Sequence, residues 1–218
     1  WGQLSVGRIE RPDNEFSDEA FDWMGQGRFM ADRAIDRASE FDGEGTLADR
    51  TDLARAYLYG GIIYTMVADV YDDFVLPSTP TEEAPPVGAG NMSSVYEQAI
   101  SYLTTGLGIA RDEGDAELEV RLLAMRARAR HARAMWELVN PAGTVPADPL
   151  VDGTDPVVQA AVEDAQEVLD LTSGTPDWKY RFTYTSSTVP LNGNVPTFVN
   201  MAFQVNQRGE LQIGPDFV

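Results

Sequence analysis

The chain has 218 residues, 16 of them Lys or Arg and 35 of them Asp or Glu, for a formal net charge of −19. That excess of acid argues against a general nucleic-acid binder and disfavours contact with anionic lipid surfaces. With no cysteine and one histidine, disulfides, iron–sulfur clusters, thiolate zinc sites and histidine-rich metal centres are excluded. A hydrophobic content of 43 %, with four Trp and nine Phe, marks a folded chain with room for one large domain or two small ones. The chain starts at Trp1 and shows no signal peptide, which is expected of a processed form or a fragment.

Five helices are predicted. The first runs from about Ser17 to Ser39, with Ser17 as N-cap, Asp18 and Glu19 in the first turn, and Phe16 and Phe21 placed as a hydrophobic staple. Phe21, Met24, Arg28 and Ala31 follow at helical spacing until Gly43 and Gly45 break the pattern. The second helix is expected to open at Thr46, with Asp49 three residues on, and to run until Pro77 and Pro80 stop it. It contains "LARAYLYGGIIYTMVADVYDDFVL", Leu53 to Leu76, which is long enough to suggest a membrane span. Arg55, Asp69, Asp72 and Asp73, two glycines and four tyrosines make a buried helix the better reading.

After a Pro-, Gly- and Glu-rich loop from Pro77 to Asn91, Ser94 and Glu97 form a capping box for the third helix. Tyr96, Ile100, Leu103, Leu107 and Ala110 supply its apolar stripe, and Gly114 ends it. Asp115 is placed to cap the fourth helix, "AELEVRLLAMRARARHARAMWELV", which ends at Asn140 and Pro141. Asp155 and Pro156 begin the fifth, Val157 to Leu171, before Gly174 and Pro176. From there the pattern alternates: Trp178–Thr185 reads as a strand and Phe198–Val205 as a second. The expected division is a helical domain over residues 1–176 and a β-rich tail over 177–218. Alanines at 124, 127, 129, 132 and 134 permit close helix approach, and "VYEQAISYL" and "VEDAQEVL" begin alike. The fold expected is therefore mainly α, an irregular tetratricopeptide-like stack of helical hairpins with a short C-terminal β-rich tail.

In this order the segments resemble the RagB/SusD family. The Leu53–Leu76 stretch is similar to the family's "EAR-F-RAYYYF-LV--YGDVPL" helix, and a Pro-rich loop, "SSVYEQAISYLTTGL", the small-residue helix, "VEDAQEVLDL" and "WKYRFTY" follow in sequence. The resemblance covers roughly Phe16 to Phe203. It implies a non-enzymatic lipoprotein exposed on the outer membrane, which binds glycan or peptide nutrient and lies over a TonB-dependent transporter of the SusC-like kind. The family's lipid-bearing cysteine is absent, and its chains are considerably longer. The chain is thus expected to be an N-terminal portion of such a protein or a shortened relative. The alternative is a structural or interaction subunit of a cell-surface or extracellular assembly, which self-associates or meets other subunits through the tail.

By the same comparison Tyr71, Asp72, Asp73 and Phe74 align with the segment leading into the ligand-facing loop, which makes them the candidate binding residues. Asp69 with Asp72 or Asp73 shares a helical face and offers carboxylates to Ca²⁺, but "DVYDDF" lacks the glycine of an EF-hand loop. Pairing with arginines, or a solvated helix end, is the favoured reading. Arg121, Arg126, Arg128, Arg130 and Arg133 form either an anion- or partner-docking stripe or, preferably, salt bridges to acids such as Asp69, Asp164 and Glu167. On that reading Arg126, Arg130 and Arg133 share one face and Arg128 points elsewhere. Trp23, Trp136, Trp178, Tyr57, Tyr59, Tyr64 and Tyr71 have the surface to stack on sugar rings. Tyr57, Tyr64 and Tyr71 recur every seven residues on one helical face, a spacing for which core packing is the favoured reading. His131 has no second histidine or nucleophile to join it. No catalytic residue, metal ligand set or cofactor is expected.

Overall fold

The computed structural model describes residues 15–79, 82–140, 156–175 and 178–179; all but Lys179 belong to the first of two units, Trp1–Trp178 and Lys179–Val218. Among the described residues the protein is mainly helical, with five α-helices: α1 (Glu15–Gly43), α2 (Arg50–Val70), α3 (Ser93–Glu113), α4 (Ala116–Val139) and α5 (Pro156–Leu171). They contain no strand, only an isolated antiparallel bridge between Val75 and Pro86. The strands expected at Trp178–Thr185 and Phe198–Val205 lie outside the described residues, apart from Trp178 and Lys179.

Several helix ends differ from the sequence expectation, each for a physical reason. Helix α1 is already helical at Glu15, so Ser17 lies inside it rather than capping it. The side chain of Phe16, half of the expected staple, is outside the described residues. At its other end α1 continues past Ser39 to Gly43 and closes with Gly45 in the left-handed region (φ 68°). There Thr46 N–H donates to Phe41 O at 2.8 Å and Gly45 N–H to Asp42 O at 3.0 Å, the paired bonds of a Schellman motif. Thr46 is thereby used to end α1. The cap of α2 falls instead to Asp49, whose carboxylate accepts from the Thr51 N–H and hydroxyl at 2.8 and 2.7 Å.

Helix α2 stops at Val70, well before Pro77, with Tyr71 extended. Two aspartates would add negative charge at the negative end of the helix dipole. At α3 the expected capping box does not form: Met92 is the N-cap without a side-chain bond, and Ser94 Oγ donates to Asn91 O at 2.8 Å. Glu97 is drawn into an ion pair with Arg133 of α4 at 2.8 Å. By contrast Gly114 (φ 70°) ends α3 and Asp115 caps α4 by accepting from Leu118 N–H at 3.0 Å, both as predicted.

Consecutive helices are neighbours, and α2 also meets α4. The core lies where α2, α3 and α4 converge, around Leu58, Val67, Leu103, Leu107, Leu122 and Leu123. Burying each such side chain stabilises the fold by roughly 1.5–3 kcal/mol. Of the α3 stripe all but Ile100 is buried. Gly60, Gly61 and Gly106 let α2 and α3 approach: a Cβ at Gly106 would lie 2.9 Å from Tyr57 Cβ. Among the described residues no helix is long and apolar enough to cross a membrane.

Candidate functional site

The four residues expected to bind ligand sit where α2 gives way to the loop, but their side chains diverge. Phe74 is 2 % exposed and packs its ring 4.4 Å from that of Phe21 on α1. Tyr71 completes this cluster, with its ring 5.4 Å from Phe21, edge-on, and 5.4 Å from Phe74. Asp73 serves the loop itself: its Oδ1 accepts from the N–H of Phe74 at 2.8 Å and of Gly88 at 2.7 Å. Val87 N–H donates to Phe74 O at 2.8 Å, beside the Val75–Pro86 bridge, so residues 73–88 return on themselves. Asp72 is exposed.

Between α1 and the start of this loop lies a groove of about 370 Å³. Its walls are Phe21, Phe29, Met30, Phe74, Val75 and Pro77, and Gly25 leaves its side of α1 open. A Cβ at Gly25 would meet only Phe74 Cζ, at 3.9 Å. Asp22, Gln26, Arg28 and Thr79 supply the polar lining. Asp22 and Gln26 engage each other, Gln26 Nε2 donating to Asp22 Oδ2 at 2.8 Å.

Arg28 is the charged centre of this region and only 3 % exposed. Its Nη1 pairs with Asp32 at 3.0 Å and its Nη2 donates to Pro77 O at 2.6 Å, which ties the loop to α1. Asp32 accepts in addition from the hydroxyls of Tyr64 and Tyr102, each at 2.9 Å. Burial, and then the adjacent Asp32 carboxylate, push both tyrosines above the ordinary phenol range. Among the described residues, Arg28 Nε is the only buried side-chain polar atom without a hydrogen-bond partner.

The arginines of α4 take the structural role. Arg126 grips Asp164 of α5 through two bonds, Nε at 2.9 Å and Nη2 at 2.7 Å, and Arg130 adds a third at 2.8 Å. Burial and the neighbouring Arg126 depress the pKa of Arg130. Arg128 points elsewhere, to Asp69, which also accepts from Tyr96 OH at 3.0 Å. Arg133, seven residues on from Arg126 in the same helix, reaches other acids, Glu97 and Glu137, both at 2.8 Å. Arg121 pairs with Glu117. Glu167, an expected partner of α4, is held by Arg111 of α3 at 2.5 Å. Asp69 is thus engaged, and no group of three or more His, Cys, Asp or Glu among the described residues is arranged to hold a metal ion. His131 is exposed.

Of the other aromatics, Tyr57 and Tyr64 both pack edge-on against Tyr102 at 5.6 Å, in keeping with a core role. Trp23 and Tyr59 are exposed. Sequence reasoning located one wall of the groove, at Phe74, and missed the α1 side. Its available signal was Arg28, an arginine at helical spacing among Phe21, Met24 and Ala31, which is where a buried, partnered cation belongs. Compared with family models, with characterised proteins and with solved structures, the chain matches none.

Proposed function

We propose that this chain is the helical scaffold of a non-enzymatic, SusD-like nutrient-binding protein, with the groove between α1 and the post-α2 loop as its ligand site. On this reading the helices form an irregular tetratricopeptide-like array, the protein works at the outer-membrane surface beside a TonB-dependent transporter, and the ligand is a glycan or a peptide. The observation that carries it is the groove itself: a concave, largely apolar surface of about 370 Å³ with a few polar groups, beside Tyr71–Phe74. That volume lies at the lower end of the roughly 300–1,000 Å³ typical of small-ligand sites. Calorimetric titration of the full chain with neutral oligosaccharides and peptides tests it. Saturable binding that Gly25→Leu abolishes is expected, and absence of binding to both classes overturns it.

The alternative, a structural or interaction subunit, draws on a different surface. Trp23 on α1 and Tyr59, Met66 and Val70 on α2 are large apolar side chains left exposed. Sedimentation of the purified chain distinguishes the readings: ordered oligomers dispersed by Trp23→Ser and Tyr59→Ser favour the second, a monomer the first.

A further inference from the structure

The groove combines apolar walls with a single buried cation whose charge is already balanced. Arg28 pairs with Asp32 at 3.0 Å, so the two contribute no net charge, and the whole chain carries −19. A carboxylate or phosphate ligand therefore meets repulsion without a compensating excess of positive charge. A sugar fares poorly for another reason: each hydroxyl that leaves water needs a partner. Besides Arg28, the groove offers only Asp22, Gln26 and Thr79 as such partners among the described residues, and Asp22 and Gln26 already share one bond at 2.8 Å. An apolar side chain makes no such demand on Phe21, Phe29, Phe74 and Pro77. One polar requirement remains, and it belongs to the protein: Arg28 Nε is a buried donor with nothing to bond. A group that parts the apolar lining and carries an acceptor beside it satisfies that donor, and its other two nitrogens stay committed to Asp32 and Pro77 O.

We propose that the groove takes an apolar side chain of an uncharged peptide segment, whose neighbouring backbone carbonyl accepts from Arg28 Nε. This deepens, and rests on, the reading of the groove as the ligand site. It selects peptide over glycan because an apolar side chain beside one carbonyl brings a single acceptor to the one unpartnered donor, whereas a sugar brings many hydroxyls that each need a partner.

Calorimetric titration of the full chain with an acetylated, amidated tripeptide carrying a central phenylalanine tests it, with the glycine-centred tripeptide and a neutral glucose oligosaccharide as comparisons. Saturable binding of the phenylalanine peptide alone is expected. Arg28→Lys keeps a cation but loses Nε, and weakens that binding by about 10-fold or more. Gly25→Leu fills the groove from α1 and abolishes binding, while circular dichroism reports an unchanged helical fold. Peptide binding indifferent to both substitutions overturns the proposal. Oligosaccharide binding that Gly25→Leu abolishes, with no peptide binding, overturns the peptide assignment and leaves the groove as the ligand site. Failure of all ligands to bind overturns both.

Discussion

Leu103 on α3 lies directly over the bare backbone of Gly61 on α2: a Cβ at Gly61 would stand 2.3 Å from Leu103 Cγ. Both residues are buried, and Leu103 is fully so. A glycine inside a helix ordinarily costs about 1 kcal/mol relative to alanine. Here the cost is offset by an interhelical approach that no other residue allows.

Gly61→Ala is expected to lower stability by about 1–3 kcal/mol despite its better helix propensity, because Leu103 must leave its position. Gly108→Ala is the control within α3: a methyl group added there would meet nothing within 4 Å, so a gain of roughly 0.5–1 kcal/mol is expected. Urea denaturation midpoints of the two variants should move in opposite directions.

Asp164 is 3 % exposed and holds two arginines. Asp164→Ala leaves Arg126 and Arg130 without their anion between α4 and α5, and a loss of about 3 kcal/mol is expected. Replacing all three by apolar residues of similar volume should restore most of it. Denaturant unfolding of the single and triple variants checks both statements, and faster hydrogen exchange along α5 should accompany the single change.

Alkaline pH should destabilise the protein. Tyr64 and Tyr102 have pKa values raised above the ordinary 10.0 by burial first and by Asp32 second, and Tyr96 is raised by burial and by Asp69. An unfolded tyrosine releases its proton near pH 10, whereas the folded one retains it. The folded state then binds more protons, and stability falls as pH rises above that value, by up to about 1.4 kcal/mol per pH unit for each group. Below about pH 10 the contribution is fully present. Stability curves should steepen above about pH 10, Tyr102→Phe should flatten them, and tyrosinate absorbance should show fewer ionised tyrosines in folded than in unfolded protein.

Asp73→Ala should loosen the loop more than the fold. Its carboxylate satisfies the Phe74 and Gly88 amides, so both should exchange hydrogen faster, with a global cost of about 1–3 kcal/mol. Hydrogen exchange read residue by residue separates this local release from general unfolding.

Legibility varied with the distance over which each contact is made. The stop at Gly114 and the cap at Asp115 were readable because donor and acceptor lie within one turn. The capping box at Ser94 and Glu97 was equally plausible locally, and it failed because Arg133 of the next helix competes for the carboxylate. Likewise the run toward Pro77 ended early at Val70, where Asp73 finds its donors across the loop at Gly88. The candidate site was half legible: aromatic character at Tyr71 and Phe74 was evident, but not that Phe74 turns inward against Phe21.

By itself, then, the sequence determined a mainly helical protein, the register of its apolar stripes, the α3–α4 break, and the need of an arginine-rich helix in an acidic chain to find acids. These follow from periodicity and from bonds within a turn, which the order of residues specifies directly. Only the tertiary structure decided which acid each arginine meets, which glycines carry a helix crossing, and that Arg28, tied to a carbonyl 49 residues away, stands in a groove. Those outcomes depend on competition among groups far apart in the chain, and such competition is resolved only when the helices pack.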